Sequence, residues 1–390
     1  MKIAWFCIPA HGHTNPTLGL VRTMADRGHE IWYFSFEMFR ERIEKAGARF
    51  IGCDGCEPEM EGGGDADKVG RDMVYSTQLL VSSTLALDEM VAEKVREIGP
   101  DLIVSDSVAY WGKLTALKYH IPYVSSTTTF AFNNASARYF QTSFKDMLKM
   151  VVSMPKINRQ LQRLRDKGYP VKNILEIVQN DNATDTIVYT SRYFQPCAET
   201  FSDRYCFIGP SVRPVEKPME KTADKTVYIS MGTVVKNENL YYDCVEALRD
   251  TGYQVIVSLG NSDVHFENLP EHIQVYSSVD QMAALSIADV FITHCGMNSA
   301  SEGLYYEVPL ILCPQTPEQR TVARRTEELG AGILLRSTEK ADILNAVEQV
   351  LKNPAYREAA CRISASFKQS GGVKTASEFL EKIRGDSHVE

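Results

Sequence analysis

The sequence predicts an α/β chain made of two doubly wound parallel-sheet domains. Strand-like and helix-like segments alternate from the first residue onward. The strand candidates are short, continuously apolar runs, as parallel strands covered on both faces are. The alternation breaks at a Pro- and Gly-containing stretch, 209–218, and then restarts. A length of 390 residues agrees, since it exceeds what one hydrophobic core usually serves.

The first domain opens with Ile3–Ile8, an apolar run ended by Pro9 that reads as a strand rather than a signal peptide. Pro16 marks the expected start of a helix that carries Leu18, Leu20, Val21 and Met24 at helical spacing and stops at Gly28. Ile31–Phe36 is a strand, Met38–Ala46 a helix and Ala48–Cys53 a third strand, giving βαβαβ. The loop Asp54–Lys68, with Gly62, Gly63 and Gly64, is expected to be mobile. A helix then runs through Val95, followed by buried strands at Asp101–Ser105 and Tyr123–Ser126. Residues 133–185 are less regular, and Lys145–Lys172 carries eight Lys and Arg against Asp146 and Asp166. That stretch reads as a solvated helix face before it reads as a docking surface.

Gly209–Pro218 is Pro-rich and charged without periodicity, as interdomain linkers are. Beyond it come strands at Thr226–Met231, Gln254–Leu259, Ile273–Tyr276, Ala288–Thr293 and Pro309–Leu312, with a helix at Leu240–Arg249 and others between and after. The expected organisation is a domain over 1–209, a linker over 210–224, a second domain over 225–375, and a terminal helix over 376–390 packing back toward the first domain. The two domains are expected to be Rossmann-like and to face each other across a cleft.

Composition narrows the function. A formal net charge of −8 argues against a nucleic-acid binder, which needs a basic footprint. No run approaches the length of a membrane-spanning helix, and nine scattered cysteines fit a reducing compartment, so the expected location is the cytoplasm. Neither nucleic acid nor a membrane is an expected partner. Cys53 and Cys56 form a lone CxxC with no second pair for a tetrahedral zinc site. There is no GxGxxG after the first strand and no GxxxxGK[ST], so dehydrogenase and P-loop readings lose their main support.

Parallel sheets bind ligands outside the carboxyl ends of their strands. Three segments at such ends carry chemistry. In His11-Gly12-His13-Thr14-Asn15-Pro16, an imidazole is placed to take a proton from a hydroxyl; Thr14 or Asn15 capping a helix is the plainer alternative. Asp106, ending the strand from Asp101, is placed to orient such a ring or to cap the helix near Tyr110. In His294-Cys295-Gly296-Met297-Asn298-Ser299, Gly296 permits close backbone approach, and Asn298 and Ser299 offer donors at a helix N-terminus. This is an anion site suited to a diphosphate, with His294 as a further donor. Glu302, one turn on, suits vicinal ribose hydroxyls.

With these segments, the chain resembles the family 1 glycosyltransferases of the two-domain GT-B type, in particular the bacterial macrolide and flavonoid UDP-glycosyltransferases. The resemblance spans essentially the whole chain. It rests on Gly12–Pro16, Asp101–Asp106, Phe207-Ile208-Gly209-Pro210-Ser211 and Ser230-Met231-Gly232-Thr233. The most specific part runs from Ser278-Val279-Asp280-Gln281 through His294–Ser299 to Pro314 and Glu318-Gln319. The interval from His294 to Gln319 equals that in plant members.

The resemblance implies that His13 is the general base and Asp106 its partner. It assigns His294, Gly296, Asn298, Ser299, Gly232 and Thr233 to the diphosphate, Glu302 to the ribose, and Val279 and Gln281 to the donor site. Glu318 and Gln319 would hold sugar hydroxyls, a pair often seen with glucose, and Thr128 and Thr129 would approach the donor sugar. Two positions depart from the pattern: Ser278 replaces the ring that stacks on uracil, leaving Tyr276 or another residue to stack, and Val322 replaces an Asn. The implied reaction is inverting, metal-independent transfer of a hexose, glucose first, from a UDP-sugar to a lipophilic flavonoid, other phenol or macrolide. It needs no cofactor beyond the co-substrate. Its rivals are a lipid-linked sugar transferase, a sugar-nucleotide epimerase, or a non-catalytic, partner-activating relative.

Overall fold

The computed structural model describes residues 1–56, 58, 60, 72–133, 135, 136, 139, 144–180, 182–232 and 238–386. They form two compact units: Met1–Tyr189 with Gln195–Ser211 and Gly371–Glu390, and Thr190–Phe194 with Val212–Ser370.

The first unit holds a seven-stranded sheet in the order β3-β2-β1-β4-β5-β6-β7, paired in parallel throughout. Its strands are β1 (Lys2–Phe6), β2 (Glu30–Ser35), β3 (Arg49–Gly52), β4 (Leu102–Asp106), β5 (Tyr123–Thr127), β6 (Asp185–Val188) and β7 (Tyr205–Phe207). Side-chain alternation splits β1 between two cores. Ile3 and Trp5 pack with Leu20, Val21, Met24 and Tyr33, while Ala4 and Phe6 pack with Trp32, Phe34, Val91 and Trp111. Both faces are covered, which is why the strand is apolar at nearly every position. Helices α1 (His11–Asp26), α2 (Arg40–Lys45), α3 (Met73–Ile98), α4 (Tyr110–Tyr119), α5 (Phe144–Asp166) and α6 (Ile174–Val178) flank the sheet elements in sequence.

Two expectations change here. Helix α1 starts at His11, not Pro16; Ala10 is its N-cap and no side chain caps it. Thr14 is fully buried, with its Oγ1 3.4 Å from the Ile8 carbonyl. The stretch 133–185 contains the long helix α5, which continues past Pro155. Within the basic segment, Arg165 donates to the carbonyls of Val171 and Lys172 at 2.8 Å each, and Arg163 donates to Gln160 at 2.8 Å. Arg165 thus ties down the turn after α5, while Lys156, Arg159, Lys167 and Lys172 are exposed, as a solvated face is. Residues 61–68 of the expected mobile loop lie outside the described residues.

The second unit holds a six-stranded parallel sheet in the order β10-β9-β8-β11-β12-β13. The strands are β8 (Thr226–Ser230), β9 (Gln254–Ser258), β10 (Ile273–Tyr276), β11 (Val290–Thr293), β12 (Leu310–Leu312) and β13 (Gly332–Leu334). Val227, Ile229, Val255, Val257, Val290 and Ile292 form one core with Leu240, Ile343 and Val347. On the other face Tyr228 stacks on Phe291 at 4.8 Å. Helices α7 (Asn239–Leu248), α8 (Gln281–Ile287), α9 (Met297–Tyr305), α10 (Pro317–Glu328), α11 (Lys340–Lys352) and α12 (Pro354–Gln369) connect the strands.

The chain ends with α13 (Gly372–Asp386), part of the first unit. Ala376 and Leu380 enter the core around Leu20 and Met24, and Glu381 receives Arg27 at 2.9 Å and His29 at 3.0 Å. All nine cysteines are free thiols. Among the described residues no three His, Cys, Asp or Glu side chains gather as a metal site, and no helix is long and apolar enough to cross a membrane.

Candidate active site

In each sheet the strand order reverses at one place, and the loops there open outward beside one another. In the first sheet this falls between β1 and β4, and in the second between β8 and β11. His13, Asp106, Gly232 and residues 294–302 stand at or after the ends of these four strands, while Val279 and Gln281 follow β10 and Glu318 and Gln319 follow β12.

His13 lies in the first turn of α1, and Asp106 is the last residue of β4. His13 Nδ1 is 2.6 Å from Asp106 Oδ2; the carboxylate side chain is fully buried and the ring 19% exposed. Asp106 Oδ1 accepts the Val108 N–H at 2.9 Å, so both carboxylate oxygens are held. An ionised carboxylate only accepts, which fixes the ring proton on Nδ1 and leaves the lone pair on Nε2. Thr128 Oγ1, buried after β5, is 3.2 Å from the same Nδ1. The resemblance placed Thr128 toward the donor sugar; here its hydroxyl sits against His13. Neither capping alternative survives, because α4 is capped at Ala109 and α1 at Ala10, both without side-chain bonds. His11 instead packs edge-on against Phe39, 3.4 Å from Arg42, and burial and that charge lower its pKa.

In the second unit, Cys295 turns the chain from β11 into α9 in the left-handed region, at φ 67°. Such strain at a non-glycine residue gathers at functional sites. The His294 ring lies between two glycines. A Cβ on Gly296 would meet its Nε2 at 2.6 Å, and one on Gly232, itself at φ 76°, would meet Cε1 at 2.6 Å. Burial pushes His294 down to about 4, against a hydrogen bond to the Ser230 carbonyl that works the other way. The ring is therefore neutral at physiological pH, and its Nδ1 is buried without a protein partner. A neutral ring keeps one N–H to donate, and the positive potential rests on the N-terminus of α9, where the cap residue Gly296 brings no side chain. Asn298 and Ser299 stand in that first turn, half-buried. Thr233 lies outside the described residues.

Glu302, one turn further, accepts a short hydrogen bond from Gln281 Nε2. The other end of that amide, Oε1, accepts from Tyr228 at 3.2 Å. Burial raises Glu302 to about 7, although the Gln281 bond and the Arg213 charge pull the other way. Tyr228, inside the apolar strand Thr226–Ser230, gave no signal in the sequence beyond its place in a core. Val279 is half-buried just ahead of α8.

Glu318 is exposed at the second position of α10. Gln319 forms a capping box with Thr316. Its Oε1 accepts from the N–H groups of Gln315 at 2.7 Å and Thr316 at 3.1 Å, and its own N–H donates to Thr316 Oγ1 at 3.3 Å. Its acceptor is committed to the helix start, and the amide nitrogen is left to donate.

Comparison with solved glycosyltransferase structures identifies this pair of parallel sheets as the GT-B fold. Residues 209–372 match the family model described as UDP-glucoronosyl and UDP-glucosyl transferase. The chain is 32% identical over 402 residues to NDP-glycosyltransferase YjiC of Bacillus licheniformis, covering 100% of this chain and 99% of the relative. It is 27% identical to demethyllactenocin mycarosyltransferase of Streptomyces fradiae, over 98% of this chain and 86% of that one. Among solved structures, CalG4, the calicheamicin glycosyltransferase, matches with a TM-score of 0.83 at 26% identity over 99% of both chains. The chain belongs to the family 1 glycosyltransferases and is a nucleotide-sugar-dependent sugar transferase.

Proposed function

We propose that the enzyme transfers glucose from UDP-glucose, with inversion and without a metal ion, to a hydroxyl of a lipophilic small molecule such as a flavonoid, another phenol or a macrolide. The observation that carries the reading is the 2.6 Å contact between His13 Nδ1 and Asp106 Oδ2. His13 Nε2 takes the acceptor proton, and the acceptor oxygen forms its bond to the anomeric carbon on the side opposite the leaving oxygen. The bond to the diphosphate breaks, and UDP departs with the electron pair. Asp106 stabilises the imidazolium that forms. The N–H groups opening α9 stabilise the charge on the departing diphosphate. The family description supports a UDP-sugar donor. Relatives whose names cite demethyllactenocin and calicheamicin support a small-molecule acceptor.

The test is incubation with UDP-glucose and a panel of phenols and macrolides in EDTA, followed by mass spectrometry of product and free UDP. Inversion of an α-linked donor gives a β-glucoside, read from the anomeric coupling in NMR. An α-glucoside, or activity that returns only with Mg²⁺ or Mn²⁺, sinks the mechanism. A different preferred sugar sinks only the choice of glucose.

A further inference from the structure

Arg213 stands near the start of the second unit, and its Nη2 donates to Asp280 Oδ1 at 2.5 Å. Asp280 also caps α8, accepting the Met282 N–H at 3.1 Å. Burial alone would raise this carboxyl; Arg213 and the backbone N–H groups of Met282 and Ala283 outweigh it and hold it below its ordinary value. The adjacent residue, Gln281, donates to Glu302. Both Arg213 and Asp280 act electrostatically on Glu302 and on Tyr306. Tyr306 lies one helical turn beyond Glu302, its N–H donating to the Glu302 carbonyl at 3.2 Å, and Arg213 and Asp280 stand close enough to act on both residues. Asp280 fixes one edge of the guanidinium, while 50% of the Arg213 side chain is exposed.

A nucleoside diphosphate with its phosphates at the start of α9 and its ribose at Glu302 carries its base beyond Glu302. Ser278 brings no ring there. A guanidinium is planar, weakly hydrated and stacks on π faces, which an ammonium cannot do.

We propose that Arg213, positioned by Asp280, is the platform on which the donor's nucleobase stacks, a role that rests on the UDP-sugar reading of this site. Stacking tolerates any base, because every base has a π face. Uridine and thymidine diphosphates are then held alike.

The test is calorimetric titration of UDP, TDP and inorganic pyrophosphate into wild type, Arg213→Lys and Arg213→Met at fixed ionic strength. The lysine variant keeps the charge and the reach to Asp280 but loses the plane. If Arg213→Met does not fold, as judged by its melting curve, Arg213→Lys alone decides. Expected are UDP and TDP binding weakened about ten-fold or more in either folded variant, and pyrophosphate binding within two-fold of wild type. UDP affinity in Arg213→Lys within two-fold of wild type overturns the inference. So does an equal loss for UDP and pyrophosphate, which marks Arg213 as a plain phosphate charge. Wild type that binds pyrophosphate but neither UDP nor TDP overturns the donor reading as well.

Discussion

Asp106→Asn isolates the electrostatic part of the proposed base. The substitution keeps size and burial but exchanges a carboxylate for a neutral amide beside His13 Nδ1, at a contact of 2.6 Å. An imidazolium and a carboxylate with charge centres about 3 Å apart, at an effective dielectric near 20, interact by roughly 5 kcal/mol. The amide returns part of that through its own dipole, so a loss of about 4 kcal/mol, or roughly 10³ in kcat, is expected. An asparagine that turns its NH₂ toward the ring also favours the other tautomer and blocks Nε2 as a proton acceptor. UDP affinity should stay within two-fold, because the proposed nucleotide contacts belong to the second sheet. The assay is steady-state turnover with UDP-glucose and a neutral phenol, with UDP binding by calorimetry as the control. An acceptor already ionised at the assay pH should lose much less, since it has no proton to give. Turnover within ten-fold of wild type with the neutral phenol, at unchanged UDP affinity, would refute the role of the pair.

Burial pushes Glu302 up to about 7, and ribose hydroxyls donate more strongly to its ionised form. UDP binding should therefore release a proton, and the affinity ratio of wild type to Glu302→Gln should rise between pH 5.5 and 8.5; a flat ratio in calorimetry contradicts this. Gly232→Ala puts a Cβ 2.6 Å from His294 Cε1 at a φ of 76°. The left-handed backbone costs about 1–2 kcal/mol and the overlap about 1–3 more, so a thermal midpoint equal to wild type would contradict the packing. Gln319→Ala should lower stability by about 0.5–2 kcal/mol through loss of the capping box, and Thr316→Ala should match it in urea titration. A change in sugar preference with no loss of stability would mean that the cap contributes nothing.

Much of the fold was legible because buried parallel strands leave a strong trace. Ile31–Phe36 and Gln254–Leu259 are apolar at nearly every position since both sheet faces are covered, and they match β2 and β9 to within a residue or two. The strands that left no such trace are short or mixed. β6 is Asp185–Val188, β7 is the three residues Tyr205–Phe207, and β13 begins at a glycine. Pro16 misled the reading of α1 because a proline fits a first turn, yet this helix already has five residues before it. Thr14 and Asn15 are cap-forming residue types just ahead of that proline, but the cap is Ala10, which brings no side-chain bond. α5 was hidden by its central Pro155 and by a dense run of charges that reads as a solvated segment.

At the site, a sequence pattern indicates where a side chain stands but not its charge or what already holds it. His13 and Asp106 were readable because they follow two strands that a doubly wound sheet places side by side, and their contact follows from β1 pairing with β4. His294 was placed after β11, but its neutrality depends on burial between two glycines in the loops after β8 and β11. Gln319 was found at its expected spacing from His294, but its acceptor is spent on helix α10, three residues after Thr316 in a T-x-x-Q arrangement that marks a capping box. Read locally, the segment Thr316–Gln319 announces a helix start; read by resemblance, a sugar contact. Both uses fit the same side chain because its two ends differ: the carbonyl caps and the amide nitrogen faces away from the cap. Any sugar contact at Gln319 must then be a donation, so a donor sugar is recognised there by an oxygen that accepts.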